Sequence, residues 1–131
     1  MTEPLKQGDK VAIVSTARKI SSEELSTATS IIEGWGLKVE FGETIDAVEG
    51  QYSGPDDLRA RDMQNMLDRP DIRAVFCARG GYGTVRIIDK LDFTSFMKQS
   101  KWIIGYSDIT VLHSHIHRHF GVPTLHANMP I

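Results

Sequence analysis

Short apolar runs alternate with amphipathic segments along the chain, and this alternation restricts the possible folds more than any other feature. Five such runs predict strands at residues 10–15, 37–41, 72–78, 101–105 and 124–126. Between them, apolar residues recur at helical spacing over residues 21–35, 56–67, 84–91, 93–100 and 108–120. Strands that alternate with helices form a parallel sheet with helices on both faces. The sequence therefore predicts an α/β fold of three layers.

Local signals predict the limits of the first helix and of the loop after the second strand. Ser21 is followed three residues later by Glu24, which is the spacing of a capping box and predicts that the helix begins at Ser21. Gly36 is typical of the residue that ends a helix. Residues 42–55 are polar and lack apolar periodicity. Loops of that length are commonly functional or mobile.

Length and composition limit the classes of protein to which the chain can belong. The 131 residues suit one domain with its own hydrophobic core. The net charge of -2 gives no indication of binding to nucleic acid or to an anionic membrane. No apolar run approaches the roughly 18 residues of a membrane-spanning helix, and no signal peptide is visible. The one cysteine, Cys77, excludes an internal disulfide bond, and the expected location is the cytoplasm.

Ser107 lies between a predicted strand and a predicted helix, within the segment KWIIGYSDITVLH at residues 101–113. A serine at such a turn exposes its hydroxyl, and the following N–H, that of Asp108, lies at the positive end of the helix. Ser107 is therefore a candidate nucleophile. The segment departs from the G-x-S-x-G pattern because Ile109 replaces the second glycine. The alternative is that Ser107 only caps the helix, as serines at this position often do.

A glycine-rich turn, ARGGYG at residues 78–83, follows the third predicted strand. Adjacent parallel strands can bring this turn next to Ser107, and the backbone N–H of Gly80 or Gly81 could then bind an oxyanion. The turn matches neither of the two common nucleotide-binding patterns. Arg79 could bind a substrate carboxylate through its planar guanidinium, or it could form a structural ion pair.

Four histidines alternate on the last predicted helix, and a fifth, His126, follows on the next strand. The pairs at i,i+4 point to opposite faces and lack a third ligand, so no metal site is predicted. His113 is too far along the helix from Ser107 to act readily as its base. His126 is a geometrically possible but weak candidate for that base.

Together these motifs resemble the LD-carboxypeptidase family of serine peptidases, whose relatives include the microcin C resistance peptidases. The resemblance rests on VAIVSTA near the N-terminus, CARGGYG in the middle, GYSDITVLH around the serine and LHANMP near the end. It implies a flavodoxin-like sheet. It also implies hydrolysis of the amide bond between an L-centre and a C-terminal D-residue, typically D-alanine of murein tetrapeptides during peptidoglycan recycling.

The resemblance also implies roles for particular residues. Ser107 is the nucleophile, and the backbone of Gly81 and of Asp108 forms the oxyanion hole. The mechanism uses a Ser-His-Glu triad without a metal or cofactor, and the members commonly form homodimers. Around the site, the residues expected to bind substrate are Arg79, Gly80, Tyr82 and His126.

In this family the Glu and His of the triad belong to a second, C-terminal domain. Residues 1–131 are therefore expected to form a single N-terminal domain that bears the nucleophile, without its C-terminal partner and inactive alone. A motif that usually reads H-G-P here reads His126-Ala127-Asn128. Two alternatives stay open: a related peptidase that acts on a peptidyl-nucleotide antibiotic, and a flavodoxin-like module that binds a small ligand without catalysis.

Overall fold

A computed structural model describes residues 2–131 and contains one five-stranded, all-parallel sheet. The strand order is β2-β1-β3-β4-β5, with every neighbouring pair parallel. Both the predicted α/β class and the predicted parallel sheet are confirmed. The strands are β1 (Lys10–Val14), β2 (Lys38–Phe41), β3 (Ile72–Cys77), β4 (Trp102–Gly105) and β5 (Leu125–His126).

Helices cover both faces of the sheet, as the alternation predicted. They are α1 (Ser26–Gly34), α2 (Asp56–Asp68), α3 (Thr84–Ile87), α4 (Thr94–Lys98) and α5 (Thr110–Phe120), and short 3₁₀ turns span Ile88–Lys90 and Ser107–Ile109. One apolar cluster packs α1 against the sheet, through Leu25 and Ile32. A second cluster packs α2, α4 and α5 against the opposite face, through Met63, Phe96 and Leu112.

Strand β1 supplies both clusters because alternate side chains of a strand point to opposite faces. Val11 and Ile13 belong to the cluster under α1, whereas Ala12 and Val14 belong to the other. The chain runs from β1 outward to β2, and then back across β1 to β3. The strand order therefore changes direction between β1 and β3. In open parallel sheets, ligands bind beyond the carboxyl ends of the strands at such a point.

The prediction that the first helix begins at Ser21 is wrong, although the predicted capping contacts form. The backbone N–H of Ser21 donates to Glu24 Oε2 at 3.0 Å, and the N–H of Glu24 donates to Ser21 Oγ at 3.2 Å. The next amides, those of Leu25 and Ser26, bond to carbonyls three residues back. The capping contacts therefore close a separate tight turn, and α1 begins at Ser26.

The long loop at residues 42–55 is anchored at its start by a buried carboxylate. Asp62, on α2, accepts hydrogen bonds from the backbone N–H groups of Glu43 and Thr44 and from the Thr44 hydroxyl. Gly42 lies directly over this carboxylate, where a β-carbon would come within 2.4 Å of Asp62 Oδ2. Among the described helices, none is long and apolar enough to cross a membrane.

Candidate active site

Ser107 occupies a strained turn between β4 and α5. Its φ is 61°, in the left-handed region that residues with a β-carbon rarely adopt. Tyr106, before it, is fully extended, and a 3₁₀ turn begins at Ser107 and leads into α5. The predicted strand-turn-helix is therefore present. Backbone strain of this kind is concentrated at functional sites, and it is the conformation of a serine in a nucleophile elbow.

Ser107 does not cap a helix, which was the alternative role considered for it. The residue at the cap position is Tyr106, and no side chain caps this turn. Within residues 2–131 the hydroxyl of Ser107 takes part in no hydrogen bond, and the residue is exposed. The hydroxyl is thus available to a ligand rather than used by the fold.

The departure from G-x-S-x-G has a packing explanation. Ile109 is fully buried, and a β-carbon on Gly105 would lie 3.0 Å from two of its side-chain carbons. The first glycine of the pattern therefore makes room for Ile109 beneath the serine turn. A large side chain at the second glycine position is compatible with the turn because it points into the core.

The glycine turn lies against Ser107, as the adjacency of β3 and β4 predicted. A β-carbon on Gly80 would lie 3.3 Å from Ser107 Oγ and 3.5 Å from the backbone nitrogen of Asp108. Gly81, with φ of 113°, is instead covered by the side chain of Arg18. The backbone of the turn at Gly80 thus lies close to both the serine hydroxyl and the Asp108 nitrogen.

The side chain of Asp108 connects the two turns, a role that the sequence analysis did not assign to it. Its Oδ2 accepts the backbone N–H of Thr84 at 3.0 Å, directly after the glycine turn. The hydroxyls of Thr84 and Thr16 are 2.7 Å apart and buried, which ties the same point to the loop after β1. The relative position of the serine and glycine turns is therefore set by hydrogen bonds from both sides.

Arg59, on α2, is a further residue that the sequence analysis missed. It is fully buried and donates to the carbonyls of Thr16, Gly54 and Gly83 at 3.0–3.1 Å. It also pairs with Asp56 at 2.9 Å. One guanidinium thus joins the loop after β1, the long loop and the glycine turn. An arginine in an amphipathic helix is ordinarily exposed, so the sequence carries no local signal for this role.

A cavity of about 220 Å³ opens beside Ser107. Of the residues expected to bind substrate, Arg79 and Gly80 line it, whereas Tyr82 and His126 do not. Tyr82 packs near Tyr52, with ring centroids 6.4 Å apart. The cavity wall also contains Arg18, which the sequence analysis did not single out.

The histidines near the site have structural contacts. His113 bridges α5 and two strand ends, with Nε2 2.9 Å from the Gly105 carbonyl and Nδ1 2.6 Å from the Thr124 hydroxyl. Since a carbonyl only accepts, Nε2 carries a proton and donates it to Gly105. The ring of His126 lies 5.9 Å from that of His113. No described His, Asp or Glu side chain is hydrogen-bonded to Ser107, and the described residues contain no cluster suited to a metal ion.

Cys77 ends β3 just before the glycine turn, but it is not available for chemistry. It is fully buried. Burial, with a smaller contribution from the negative charge of Asp108, raises the pKa of its thiol to about 12. A thiol with so high a pKa is a poor nucleophile at neutral pH.

Comparison with known proteins identifies relatives of the chain by sequence. The sequence profile described as the LD-carboxypeptidase N-terminal domain matches residues 11–127. A probable murein peptide carboxypeptidase of Bacillus subtilis is 38% identical over 125 residues, which are 95% of this chain and 39% of that protein. The murein tetrapeptide carboxypeptidase of Pseudomonas aeruginosa is 36% identical over 118 residues, which are 89% of this chain and 38% of that protein.

Solved structures show the same fold. The microcin C7 self immunity protein MccF, in complex with aspartyl sulfamoyl adenosine, has a TM-score of 0.87 at 25% identity and covers 92% of this chain. A muramoyltetrapeptide carboxypeptidase from Oxalobacter formigenes has a TM-score of 0.82 at 26% identity, also over 92%. These alignments take in 37% and 40% of the two solved chains. The chain thus spans about two fifths of the length of its relatives.

Proposed function

The chain belongs to the LD-carboxypeptidase family, and from this premise we propose that it carries the serine nucleophile of a peptidase that removes a C-terminal D-amino acid from murein-derived peptides. The two curated relatives that are 38% and 36% identical carry murein peptide or tetrapeptide carboxypeptidase in their names. They support this substrate class, and the proposal includes a role in peptidoglycan recycling, which the family resemblance implies.

One observation carries the proposal: the φ of 61° at Ser107, whose hydroxyl makes no hydrogen bond in the described chain. The strain at this residue is not offset by a cap or by another polar contact of the side chain. In the proposed reaction, Ser107 Oγ attacks the carbonyl carbon of the last amide bond. The N–H of Asp108 and the backbone of the glycine turn, at Gly81, stabilise the oxyanion. Collapse of the intermediate breaks the amide bond, and the leaving nitrogen takes up the proton lost by Ser107, so that the terminal D-residue departs as an amine. Water then hydrolyses the ester left on Ser107, which releases the shortened peptide and restores the serine.

We propose that a Glu and a His from outside residues 1–131 complete a Ser-His-Glu triad. Within residues 2–131 no candidate base is bonded to Ser107, and His126 does not line its cavity. Tyr106 and Tyr82 leave 42% and 48% of their surface exposed near the site, where further protein could pack. Residues 1–131 alone are expected to be inactive, because a serine without its base loses several orders of magnitude in rate.

The release of D-alanine from a murein tetrapeptide by the natural gene product tests the proposal. Replacement of Ser107 by Ala should lower kcat by at least about 1000-fold while substrate binding is retained. The matched control is Ser114→Ala, on the exposed surface of α5, which should leave turnover unchanged. Turnover by the Ser107→Ala protein at the original rate would refute the assignment. D-alanine release by residues 1–131 alone, at rates typical of enzymes, would refute the external base.

A peptidyl-nucleotide antibiotic is the second candidate substrate. The observation that favours it is the likeness to MccF, solved with aspartyl sulfamoyl adenosine, at a TM-score of 0.87. The closer sequence identity to murein peptide carboxypeptidases favours the first candidate. Measuring kcat/KM for a murein tetrapeptide and for an aminoacyl nucleotide with the same enzyme separates the two. The proposed order is reversed if the nucleotide is the better substrate. The homodimer implied by the family resemblance stays a prediction.

A further inference from the structure

Two arginines line the cavity beside Ser107. No carboxylate side chain among the described residues lines it. The six lining residues that matter here are Arg18, Arg79, Gly80, Gly81, Tyr106 and Ser107. The nearest acidic side chain in sequence, that of Asp108, accepts a hydrogen bond from the Thr84 N–H. The charged side chains on the cavity wall are therefore both arginines.

Neither of these arginines forms an ion pair within residues 2–131. Arg79 donates only to the carbonyl of Lys19, at 3.3 Å, and the guanidinium of Arg18 makes no hydrogen bond in that range. In contrast, most other arginines of the chain are paired with a carboxylate, namely Arg59, Arg61, Arg69, Arg73 and Arg86. Two guanidinium groups without counterions at one cavity favour an anionic ligand, and their planar geometry matches a carboxylate.

The main chain of Arg18 is fixed in place. Its carbonyl accepts hydrogen bonds from the hydroxyls of Ser15 and Ser53, both at 2.7 Å, and both serines are fully buried. The side chain of Arg18 crosses Gly81, where a β-carbon would lie 2.1 Å from its Cδ. Only a glycine at this position allows Arg18 to reach the cavity along this path. The glycine turn thus has two roles: Gly80 brings the backbone close to the serine, and Gly81 leaves room for the side chain of Arg18.

We propose that Arg18, assisted by Arg79, binds the C-terminal α-carboxylate of the substrate and so restricts the enzyme to the last residue of a peptide. This inference rests on the function proposed above. The carbonyl attacked by Ser107 and the terminal carboxylate belong to consecutive residues, about 3.8 Å apart between α-carbons. Arg18 lies on Gly81, one residue after the Gly80 that faces the nucleophile. Arg18, Arg79 and Ser107 line one cavity, so a carboxylate bound by the arginines would lie close to the nucleophile.

A neighbouring cavity of about 460 Å³ shares Arg18 and Arg79 and contains the acids Glu24 and Asp46. Each acid already accepts a backbone N–H, at 3.0 Å for Glu24 Oε2 and 2.8 Å for Asp46 Oδ1. Neither lines the cavity of Ser107. Among the described residues, neither acid forms a salt bridge with Arg18 or Arg79.

The test compares two substrates in the natural gene product: a murein tetrapeptide with a free terminal carboxylate, and the same peptide as its C-terminal carboxamide. Arg18→Gln should lower kcat/KM for the acid by about 10- to 100-fold, which corresponds to the loss of one charge-assisted hydrogen bond. The kcat/KM for the carboxamide should stay unchanged. Arg18→Lys should restore part of the loss because it keeps the charge. The matched control is Arg118→Gln, on the exposed surface of α5, which should change neither substrate.

An equal loss for acid and amide, or no loss for the acid, overturns the proposal. If the unmodified protein turns over neither peptide, the proposed function fails, and binding then decides the carboxylate site separately. In that case, calorimetry on the Ser107→Ala protein should show tighter binding of the acid than of the amide, and Arg18→Gln should remove this preference. Absence of the preference overturns the site. Adenosine monophosphate is the second anion: if Arg18→Gln weakens its binding but not that of the peptide acid, the site binds phosphate and the proposal is wrong.

Discussion

Replacing Ser107 by Gly should not destabilise the protein, although the same change elsewhere in a helical segment would. At a φ of 61° a β-carbon costs roughly 1–2 kcal/mol, which glycine avoids. The unfolded chain of the glycine variant has more conformational freedom, which costs about 0.5–1 kcal/mol. No hydrogen bond of the described chain is lost, because the hydroxyl makes none. The expected net change runs from zero to a stabilisation of about 1.5 kcal/mol.

Urea unfolding of three variants measures this prediction. Ser114→Gly, in α5, should lose about 0.5 kcal/mol because its helical conformation gives glycine no advantage. Ser107→Ala keeps the β-carbon and should stay within about 0.5 kcal/mol of the original protein. If the hydroxyl were a helix cap, Ser107→Ala would lose about 1 kcal/mol instead. The two glycine variants thus share one chemical change but differ in the expected direction.

Two results would refute the reasoning. If Ser107→Gly lost as much free energy of unfolding as Ser114→Gly, the serine turn would not be strained in solution. If Ser107→Ala lost about 1 kcal/mol, the hydroxyl would have a structural partner. Either result would remove the observation that carries the proposed function. Activity alone could not distinguish these cases, since both variants at Ser107 lack the nucleophile.

Three further predictions concern the surroundings of the site. Arg59→Met leaves three carbonyls without their arginine donor and should lower the free energy of unfolding by about 3–5 kcal/mol, as measured in urea. Arg61→Met, on the exposed side of the same helix, is the control and should lower it by less than about 1 kcal/mol. Similar losses in the two variants would contradict the role of Arg59. Gly80→Ala should lower kcat about 100-fold because it places a methyl group 3.3 Å from the serine hydroxyl. Gly34→Ala, whose methyl group meets nothing within 4 Å, is the control and should leave kcat unchanged. Equal activities of the two variants would argue against the close approach of Gly80 to Ser107. Cys77 should resist iodoacetamide at pH 8 until the protein unfolds. The pKa of the Cys77 thiol is about 12 in the folded protein, above its value in the unfolded chain. The contribution of the thiol to stability is therefore complete below about pH 8.5 and decreases as the pH rises towards 12. Unfolding of the original protein and of Cys77→Ala at increasing pH would measure this decrease. A Cys77 thiol labelled in the folded state, or a pH dependence shared by both proteins, would be inconsistent with this burial.

The parts of the structure that depend on neighbouring residues were predictable from the sequence. The alternation of strands and helices indicated the parallel sheet, and the segment around Ser107 indicated the strand-turn-helix. The contact between Gly80 and Ser107 followed from one further step, because turns after adjacent parallel strands meet at the same edge of a sheet. The start of α1 was not predictable, since the capping contacts of Ser21 form equally well in a separate tight turn.

Whatever depends on residues that are distant in sequence was decided by the tertiary structure. Arg59 is separated by 43 residues from Thr16 and by 24 from Gly83, yet it binds the carbonyls of both. Arg18 reaches the cavity of Ser107 only because the glycine turn passes beneath its side chain. The periodicity of a sequence reports dihedral preferences and the burial of one face, which are local properties. The partner of a buried charge is chosen by how the elements pack, and no single segment of the sequence contains that information.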